Sequence, residues 1–365
     1  MKKILFGLLC AALVSTSLIF VATKPANEVA NKVDSTQKAD ATSKAGDSEK
    51  MVNLYSAQQE HLIRPVLDNF TKQTGIAVQL ITGDAAGLVT RLQQEGENTK
   101  ADALLTADIG NLYQAKTRGL LQVVKSKLLE ENIPAHLRDS QGMWYGFTMR
   151  TRLLFMRRDE STTAPKNYTD LVDNQWLGGI LVRSSDHVYN QSLLASIIYH
   201  QGEEEAEKFA QGLVKNLART PQGGDRDQLA ALAAGEGKIA ISNSYYYLML
   251  VSDDKTLRNE LVAKNIVPIL PNQATTGAHV NIRGGGVTKY AKHKDEAIIL
   301  LEYLSGEEAQ GLFANLNREY PVNVKVAPST EMKLLGDIKF DDTPLEKIGA
   351  MQQRAIAIMD KAGWR

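Results

Sequence analysis

The segment KIAISNSYYYLML, residues 238–250, joins an apolar, strand-like run to a polar triplet and then to three consecutive tyrosines. The chain has 12 tyrosines, so a quarter of them stand in this one tripeptide. In open α/β sheets, binding residues lie at the carboxyl ends of strands. A phenol at such a strand end could pack, donate a hydrogen bond, or deprotonate and bind a hard metal. The segment alone leaves these roles open, and packing is the commonest.

Outward from this segment, short apolar runs alternate with helical periods, which predicts an α/β fold with a parallel or mostly parallel sheet. The pattern restarts near residue 153, which favours two α/β lobes with a cleft between them. Strands are predicted at 52–55, 76–81, 103–105, 153–155, 180–182 and 238–241. Helices are predicted at 62–73, 87–95, from about 110, from 190, and at 203–215, 225–234, 297–304, 307–315 and 345–361.

The N-terminus carries the pattern of an export segment. Lys2 and Lys3 precede an apolar run, so residues 1–22 are predicted to be a signal peptide or an uncleaved membrane anchor through residues 4–22. Residues 23–50 are polar without an apolar period, which predicts a disordered spacer. Cys10 is the single cysteine, so the exported body has no disulfide.

Several function classes find no support. Basic and acidic residues balance at 42 each, without the basic excess of a nucleic-acid-binding protein. The chain has no Gly-x-Ser-x-Gly elbow, phosphate-binding loop or dinucleotide fingerprint, and its six histidines lack zinc-ligand spacing. Gly284-Gly285-Gly286 precedes a strand, which favours a chain crossing or tight turn over a phosphate cradle. We therefore predict a protein that is not an enzyme.

Adjacent phenols could serve together as ligands of ferric iron. It is a hard cation that favours anionic oxygen ligands, and metal binding stabilises the deprotonated form of a ligand. A free phenol titrates near pH ~10, so a cluster without metal should stay neutral at neutral pH. Binding would release protons, and acid would weaken it.

Other motifs stand in a fixed order around the tyrosines. They are Asn53–Ser56, Leu104–Asp108, Trp144–Gly146 with Arg150–Arg152, Val182–Ser184 leading to Tyr189-Asn190, Pro221–Gln228, Ser242–Tyr247, Tyr303–Gly306 and Glu319–Val322. From about Met51 onward, this series resembles the periplasmic ferric-iron-binding proteins of bacterial ABC importers, especially the subgroup that uses three tyrosines and a carbonate.

The resemblance implies a two-lobed class II periplasmic-binding-protein fold with a central ligand cleft and crossing hinge strands. The N-terminal lobe would hold residues 51–149 plus 282–321, and the C-terminal lobe residues 150–281 plus 322–365. The chain would cross between lobes near Arg150, near Asn281–Gly286 and near Pro321.

The resemblance also implies the site. The metal ligands would be Tyr189, Tyr245 and Tyr246, with Tyr247 packing beside them or donating a hydrogen bond. Carbonate or bicarbonate would complete the coordination of Fe(3+) as a synergistic anion. The residues implied for the anion are Arg150, Arg152, Gln58 and Gln59. Arg150 is the favoured partner, since a guanidinium binds a planar oxyanion through two hydrogen bonds. At period two, Arg150 and Arg152 point to the same face; one of them could instead bridge the lobes or face solvent.

One segment departs from the family pattern. Many relatives carry Arg-His-Tyr after the first strand, where this chain has Ala57-Gln58-Gln59-Glu60-His61. Whether Glu60, His61 or Asp108 adds a ligand therefore stays open; a helix-capping or surface role is favoured for Asp108. The turn at Gly223-Gly224 is expected to start a helix with Asp225 as its N-cap rather than to bind an anion.

By this resemblance the chain is an extracytoplasmic solute-binding protein of the periplasm, anchored to the inner membrane if residues 4–22 are retained. It would act as a monomer and deliver ferric iron to an ABC permease and its ATPase. Two alternatives remain: a binding protein of the same fold for an organic anion or polyamine, and a tethered sensor domain.

Overall fold

The computed structural model describes residues 50–252 and 255–365. The predicted export segment and nearly all of the predicted spacer lie outside these ranges, and within them no helix is long and apolar enough to cross a membrane. The strands are β1 Met51–Ser56, β2 Ala77–Thr82, β3 Ala103–Thr106, β4 Tyr145–Arg157, β5 Ile180–Leu181, β6 Ile239–Asn243, β7 Ile266–Ile269, β8 Val280–Val287 and β9 Tyr320–Pro321. The α-helices are α1 Glu60–Thr74, α2 Ala85–Glu95, α3 Ile109–Thr117, α4 Lys127–Asn132, α5 Val188–Gln201, α6 Glu203–Lys215, α7 Asp225–Ala233, α8 Ser244–Ser252, α9 Leu257–Asn265, α10 Lys294–Ser305, α11 Glu307–Asn317 and α12 Leu345–Ala362.

The strands form one mixed sheet in the order β2-β1-β3-β8-β4-β6-β5, with β7 and β9 also paired to β4. The prediction of a mostly parallel sheet is wrong. Only the pairings β1–β2, β1–β3 and β5–β6 in this sheet are parallel, and the other described pairings are antiparallel. The strand–helix alternation predicted the parallel pairs correctly, but it does not reveal β4 and β8, which run back through the middle of the sheet.

Strand β4 is shared between two groups of strands. Its first half pairs with β8 and β9, with Arg150 opposite Asn281. Its second half pairs with β6 and β7, with Arg152 opposite Asn243. The predicted crossing segments near Asn281–Gly286 and near Pro321 therefore both pair with the one near Arg150 in the middle of the sheet. The lobe boundaries themselves stay a prediction, which this pairing supports.

The glycine triplet in β8 lets backbones approach closely. A Cβ atom on Gly285 would collide with the carbonyl oxygen of Leu104 in β3, and one on Gly286 with that of Met143 just before β4. These glycines have strand conformation, so what they provide is space rather than a left-handed backbone. The triplet thus lies inside β8 rather than before a strand, which excludes the tight turn, and its part in a crossing between lobes stays a prediction.

Helix α1 begins and ends near the predicted positions. Gly75 ends it in the left-handed conformation, with φ of 71° and its N–H donated to Thr71. The predicted apolar face of Leu62, Val66 and Phe70 is wrong at one position. Ile63, not Leu62, completes the buried face, and Leu62 is turned toward a cleft.

The two helices that carry the predicted metal ligands begin close to strand ends. Asn243 ends β6 and Ser244 begins α8 without a loop, so Tyr245 and Tyr246 are the second and third residues of that helix. Tyr189 is the second residue of α5. Because helical side chains lean toward the N-terminus, all three phenols project from the amino ends of their helices.

Candidate functional site

The structure brings the three predicted ligand tyrosines together. The hydroxyl oxygens of Tyr189 and Tyr245 lie 3.1 Å apart. The rings of Tyr245 and Tyr246 stack with centroids 4.1 Å apart and planes inclined by 34°. Three phenols from two helices therefore converge, and their oxygens could bind one hard metal ion.

Tyr247 has a different environment. Its ring packs at 5.1 Å from that of Phe155, and its hydroxyl donates a hydrogen bond of 3.4 Å to the carbonyl oxygen of Ile266. The prediction that Tyr247 supports the site by packing is confirmed.

The phenols of Tyr245 and Tyr246 resist ionisation when no cation is present. Burial raises the pKa of Tyr245 well above its usual value, and the neighbouring Tyr189 and Tyr246 add to the effect. Burial also raises the pKa of Tyr246, again with a contribution from Tyr189. A metal cation would have to displace the protons, as the sequence predicted. The partial positive charge of each helix amino end would then favour the phenolates.

Three guanidinium groups surround the ring of Tyr189. The Cζ atoms of Arg150, Arg183 and Arg152 lie 5.0, 5.4 and 5.8 Å from its centroid. Guanidinium groups at this distance are attracted to an aromatic face. They would be attracted more strongly to a phenolate.

The two predicted anion-binding arginines differ in how they are engaged. Arg150 is buried, donates from Nη2 to the Ala107 carbonyl, and lies 3.7 Å from a carboxylate oxygen of Asp108. Its Nε and Nη1 have no hydrogen-bond partner among the described residues. Arg152 donates to Asp225, Asn243 and Asn190, which leaves its Nε alone unpaired. Arg150 thus keeps two nitrogens free to donate to an anion, whereas Arg152 is mostly committed to protein partners.

A cleft of about 620 Å³ opens beside the phenols. It is lined by Ala57, Gln58, Gln59, His61, Leu62, Ala107, Arg183, Tyr189, Gly224, Asp225, Arg226, Asp227, Tyr245, Tyr246, Met249, Arg258 and Arg283. Arg150 and Arg152 do not line this cleft. They line a much smaller polar cavity, which shares Tyr189 with the cleft.

The segment after β1 supplies the opposite side of the cleft. Gln58 is 3% exposed, and neither polar atom of its side-chain amide has a partner among the described residues. Gln59 and His61 are exposed and also line the cleft. Glu60 instead pairs with Arg64 at 2.5 Å on the helix surface. Gln58, Gln59 and His61 are therefore placed to face a ligand, and Glu60 is not.

Asp108 has the helix-capping role that the sequence favoured. It is the N-cap of α3 and accepts a 2.9 Å hydrogen bond from the backbone N–H of Gly110. Its other oxygen accepts from the hydroxyl of Ser192 at 3.2 Å. Burial raises the pKa of Asp108 to about 6, against the attraction of Arg150. Asp108 does not line the cleft.

Sequence reasoning missed much of the cleft's charge. Arg183, Arg226, Arg258 and Arg283 come from four separate segments, and no short motif groups them. The turn at Gly223-Gly224 lies close to Arg226, but on its own it predicts only the start of a helix. The expected cap was also wrong by one residue. Gly224 is the N-cap of α7, and Asp227 accepts the N–H of Gly224 at 2.8 Å.

His187 is another missed neighbour. It is the N-cap of α5, accepting the N–H of Tyr189 at 3.4 Å, and its ring packs edge-on against the Tyr189 ring at 4.1 Å. Burial and the positive charge of Arg183 lower the pKa of His187 to about 3. The imidazole is therefore neutral at neutral pH and packs against Tyr189 as a flat polar ring.

The buried carboxyl of Asp108 makes stability depend on pH. Its pKa is raised from the usual 3.8 to about 6 in the folded chain. Between these values the folded state holds more protons than the unfolded state, so the free energy of unfolding falls as pH rises.

The variant Asp108→Asn removes this titration but keeps a side-chain oxygen that can accept the N-cap hydrogen bond. We expect this fall between pH 4 and 6 to be smaller in the variant by about 2 kcal/mol, measured by urea denaturation. The matched control is Asp84→Asn, at the exposed N-cap of α2, which should follow the wild-type profile. Parallel profiles for Asp108→Asn and wild type would contradict the prediction.

Known proteins resemble the chain over most of its length. The family model described as bacterial extracellular solute-binding protein matches residues 98–348. Iron uptake protein A2 of Synechocystis sp. is 41% identical over 325 residues, covering 88% of this chain and 92% of that protein. Iron uptake protein A1 of the same organism is 38% identical over 315 residues, covering 86% and 87%. These relatives are solute-binding proteins, and the prediction that the chain is not an enzyme is confirmed.

Solved structures match in fold as well. The Trichodesmium protein IdiA (FutA), in complex with iron and citrate ligands, has a TM-score of 0.82 and 41% identity, covering 86% of this chain and 100% of that chain. The ferric binding protein from Campylobacter jejuni has a TM-score of 0.82 and 38% identity, with the same coverage. The α/β fold class predicted from the sequence is thus confirmed, and the fold is the mixed α/β fold of ferric-binding protein structures.

Proposed function

This chain belongs to the bacterial extracellular solute-binding protein family, and from that premise we propose that it is a periplasmic protein that captures ferric iron for uptake. The ligands in this proposal are the phenolates of Tyr189, Tyr245 and Tyr246. The observation that carries it is the convergence of these phenols, with the Tyr189 and Tyr245 oxygens 3.1 Å apart beside a cleft.

The donor chemistry favours a hard cation. Among residues 50–252 and 255–365, no group of three or more histidine, cysteine, aspartate or glutamate side chains is placed to hold a metal ion. The tyrosines are therefore the candidate donors, and phenolate oxygen suits Fe(3+) better than softer ions. Because burial raises the pKa of the unliganded Tyr245 and Tyr246, iron binding there would release protons and acidification would release iron.

A small anion would complete the coordination, and carbonate is the first candidate. Arg150 has N–H donors left at Nε and at Nη1, and each could donate one hydrogen bond to a small anion. The unpartnered amide of Gln58 and the exposed Gln59 line the cleft itself, and they would meet an anion held by Arg150 where it passes Tyr189, which lines both spaces. Arg152 has a lesser part, since Asp225, Asn243 and Asn190 occupy most of its donors.

Citrate is the second candidate anion. The Trichodesmium structure holds citrate with iron, and a cleft of about 620 Å³ has room for more than a carbonate. Arg226 lines that cleft without a carboxylate partner among the described residues and favours an anion, whereas Arg183 and Arg283 line it paired with Asp225 and Glu319. The positive charge of Arg226 disfavours the alternative of a polyamine-binding protein.

Delivery would use hinge motion between lobes divided as predicted, at 51–149 plus 282–321 and 150–281 plus 322–365. Iron would dock on the tyrosines first, and the segment carrying Gln58, Gln59 and His61 would then close over it. We place an ABC permease with its ATPase as the receiver and a monomer as the carrier. Tethering through residues 4–22 belongs to the same proposal.

Colour tests the proposal directly. Purified protein given ferric iron with bicarbonate, or ferric iron with citrate, is expected to develop a visible phenolate-to-iron charge-transfer band. The double variant Tyr189→Phe, Tyr245→Phe is expected to lose it. The anion that gives the stronger band at equal iron is the better partner. A wild-type protein that stays colourless and binds no iron with either anion would refute the iron function and leave an organic anion as the ligand.

A further inference from the structure

Asp225 lies at the centre of a buried polar network behind the phenols. The residue is 1% exposed and begins α7. One of its carboxylate oxygens accepts from Arg152 at 2.9 Å and from the backbone N–H of Asn243 at 2.7 Å. The other accepts from Arg183 at 3.4 Å. A single carboxylate therefore joins β4, the end of β6 and the segment before α5.

The network continues to both helices that carry the phenols. Arg152 donates to the side-chain oxygen of Asn190 at 2.7 Å, and Asn190 directly follows Tyr189. The amide of Asn190 in turn donates to the carbonyl oxygens of Arg183 and Ser184. On the other side, Asn243 directly precedes α8, which carries Tyr245 and Tyr246. Each phenol-bearing segment is thus tied to Asp225 through at most one intervening side chain.

We propose that Asp225 is a positioning residue: its carboxylate fixes the amino ends of α5 and α8 relative to each other and so holds Tyr189 against Tyr245. It touches neither phenol and acts through Arg152, Arg183 and Asn243. The expected effect of Asp225 on iron binding rests on the proposed function. Its expected effect on the distance between the Tyr189 and Tyr245 phenols does not.

The charge of Asp225 matters as well as its hydrogen bonds. Two guanidinium groups share this one carboxylate, and in the described part of the chain no other carboxylate contacts either of them. Burial opposes the ionisation of Asp225, but Arg152 and Arg183 outweigh it and keep its pKa below the usual range. A buried ion network of this kind often contributes little net stability compared with apolar packing, and it can serve to specify one arrangement.

Asp102 provides a matched control in the same chain. Its side chain is also buried, with a lowered pKa despite the opposing effect of burial, and it accepts hydrogen bonds from Asn53, Lys292 and His293. These partners belong to β1 and to the start of α10, and none of them lines the cleft. Asp102→Asn therefore makes the same chemical change to a buried network that does not reach the phenols.

The experiment compares Asp225→Asn with Asp102→Asn in the full chain. Crystal structures without iron should show the Tyr189 and Tyr245 oxygens beyond hydrogen-bond distance in Asp225→Asn and in contact in Asp102→Asn. With ferric iron and bicarbonate, Asp225→Asn should bind about 10–100-fold more weakly, the range for loss of an outer partner of a metal ligand, and with a weaker band per bound iron. Asp102→Asn should lower the stability of the protein but leave its iron affinity and its band unchanged.

Arg152→Lys replaces Asp225→Asn if the latter does not fold, since it keeps the charge and removes the bridge to Asn190. The proposal is overturned if the folded variant keeps the wild-type distance between the phenols, or if Asp102→Asn alters that distance and the band equally. A wild-type protein without a band refutes the iron function only, because the crystallographic distance still decides the role of Asp225.

Discussion

Replacing Tyr245 by phenylalanine is expected to lower the affinity for ferric iron by at least about 100-fold, beyond the usual cost of losing an outer partner of a metal ligand. The variant loses an anionic oxygen that belongs to the coordination itself. It also removes the partner that the Tyr189 hydroxyl contacts at 3.1 Å. The charge-transfer band per bound iron should fall for the same reason. Competition with a colourless chelator at constant bicarbonate measures both quantities.

Tyr247, in the same tripeptide as Tyr245, provides the control for this variant. Tyr247→Phe makes the same chemical change two residues later, but it removes only a 3.4 Å hydrogen bond to the Ile266 carbonyl, and its ring still packs on Phe155. Its iron affinity and band should match those of the wild type. Equal losses in Tyr245→Phe and Tyr247→Phe would mean that the tripeptide acts as core packing. Equal retention in both would mean that the iron ligands lie elsewhere.

Local sequence predicted those parts of the fold that local forces determine. Helix α6 has the predicted bounds, Glu203–Lys215, because an acidic first turn and a C-terminal lysine suit the helix dipole. Gly75 ends α1 as expected, since glycine takes the left-handed conformation at little cost. The central strands were harder to predict. β4 and β8 pair antiparallel across a long sequence separation, and the alternation of strands and helices carries no sign of it.

The residues of the site also divide into those that local sequence predicts and those that depend on long-range contacts. Period two placed Arg150 and Arg152 on one face, and both lie near the Tyr189 ring. What separates them is Asp225, which reaches Arg152 from a distant helix, and no local pattern predicts that ion pair. The tyrosines were identified because their order matches a family. The cleft arginines were not, because each becomes a neighbour of the others only in the folded chain.

Glu319→Gln is expected to lower the free energy of unfolding by about 3–5 kcal/mol at pH 7. Glu319 is 1% exposed, accepts from Arg283 at 3.0 and 3.2 Å, and accepts from Thr148 at 2.8 Å. The substitution leaves the charge of Arg283 buried without its counter-charge, which costs more than the pair contributes. These residues belong to β4, β8 and the start of β9, so the loss falls where the predicted hinge strands meet.

The pH dependence and a surface pair provide the checks on this prediction. Burial opposes the ionisation of Glu319, but Arg283 outweighs it and keeps the pKa of the carboxyl lowered. The stabilisation is therefore fully present above the unfolded pKa of about 4.3 and is lost as pH falls through the folded pKa. The stabilities of the wild type and of Glu319→Gln should therefore converge in acid.

Glu60→Gln breaks an exposed ion pair with Arg64. Its N–O distance of 2.5 Å is shorter than that between Glu319 and Arg283, yet its loss should cost less than about 1 kcal/mol because solvent screens the pair. A Glu319→Gln variant no less stable than Glu60→Gln would mean that water reaches Arg283 and replaces the lost charge, which would place solvent inside the predicted hinge.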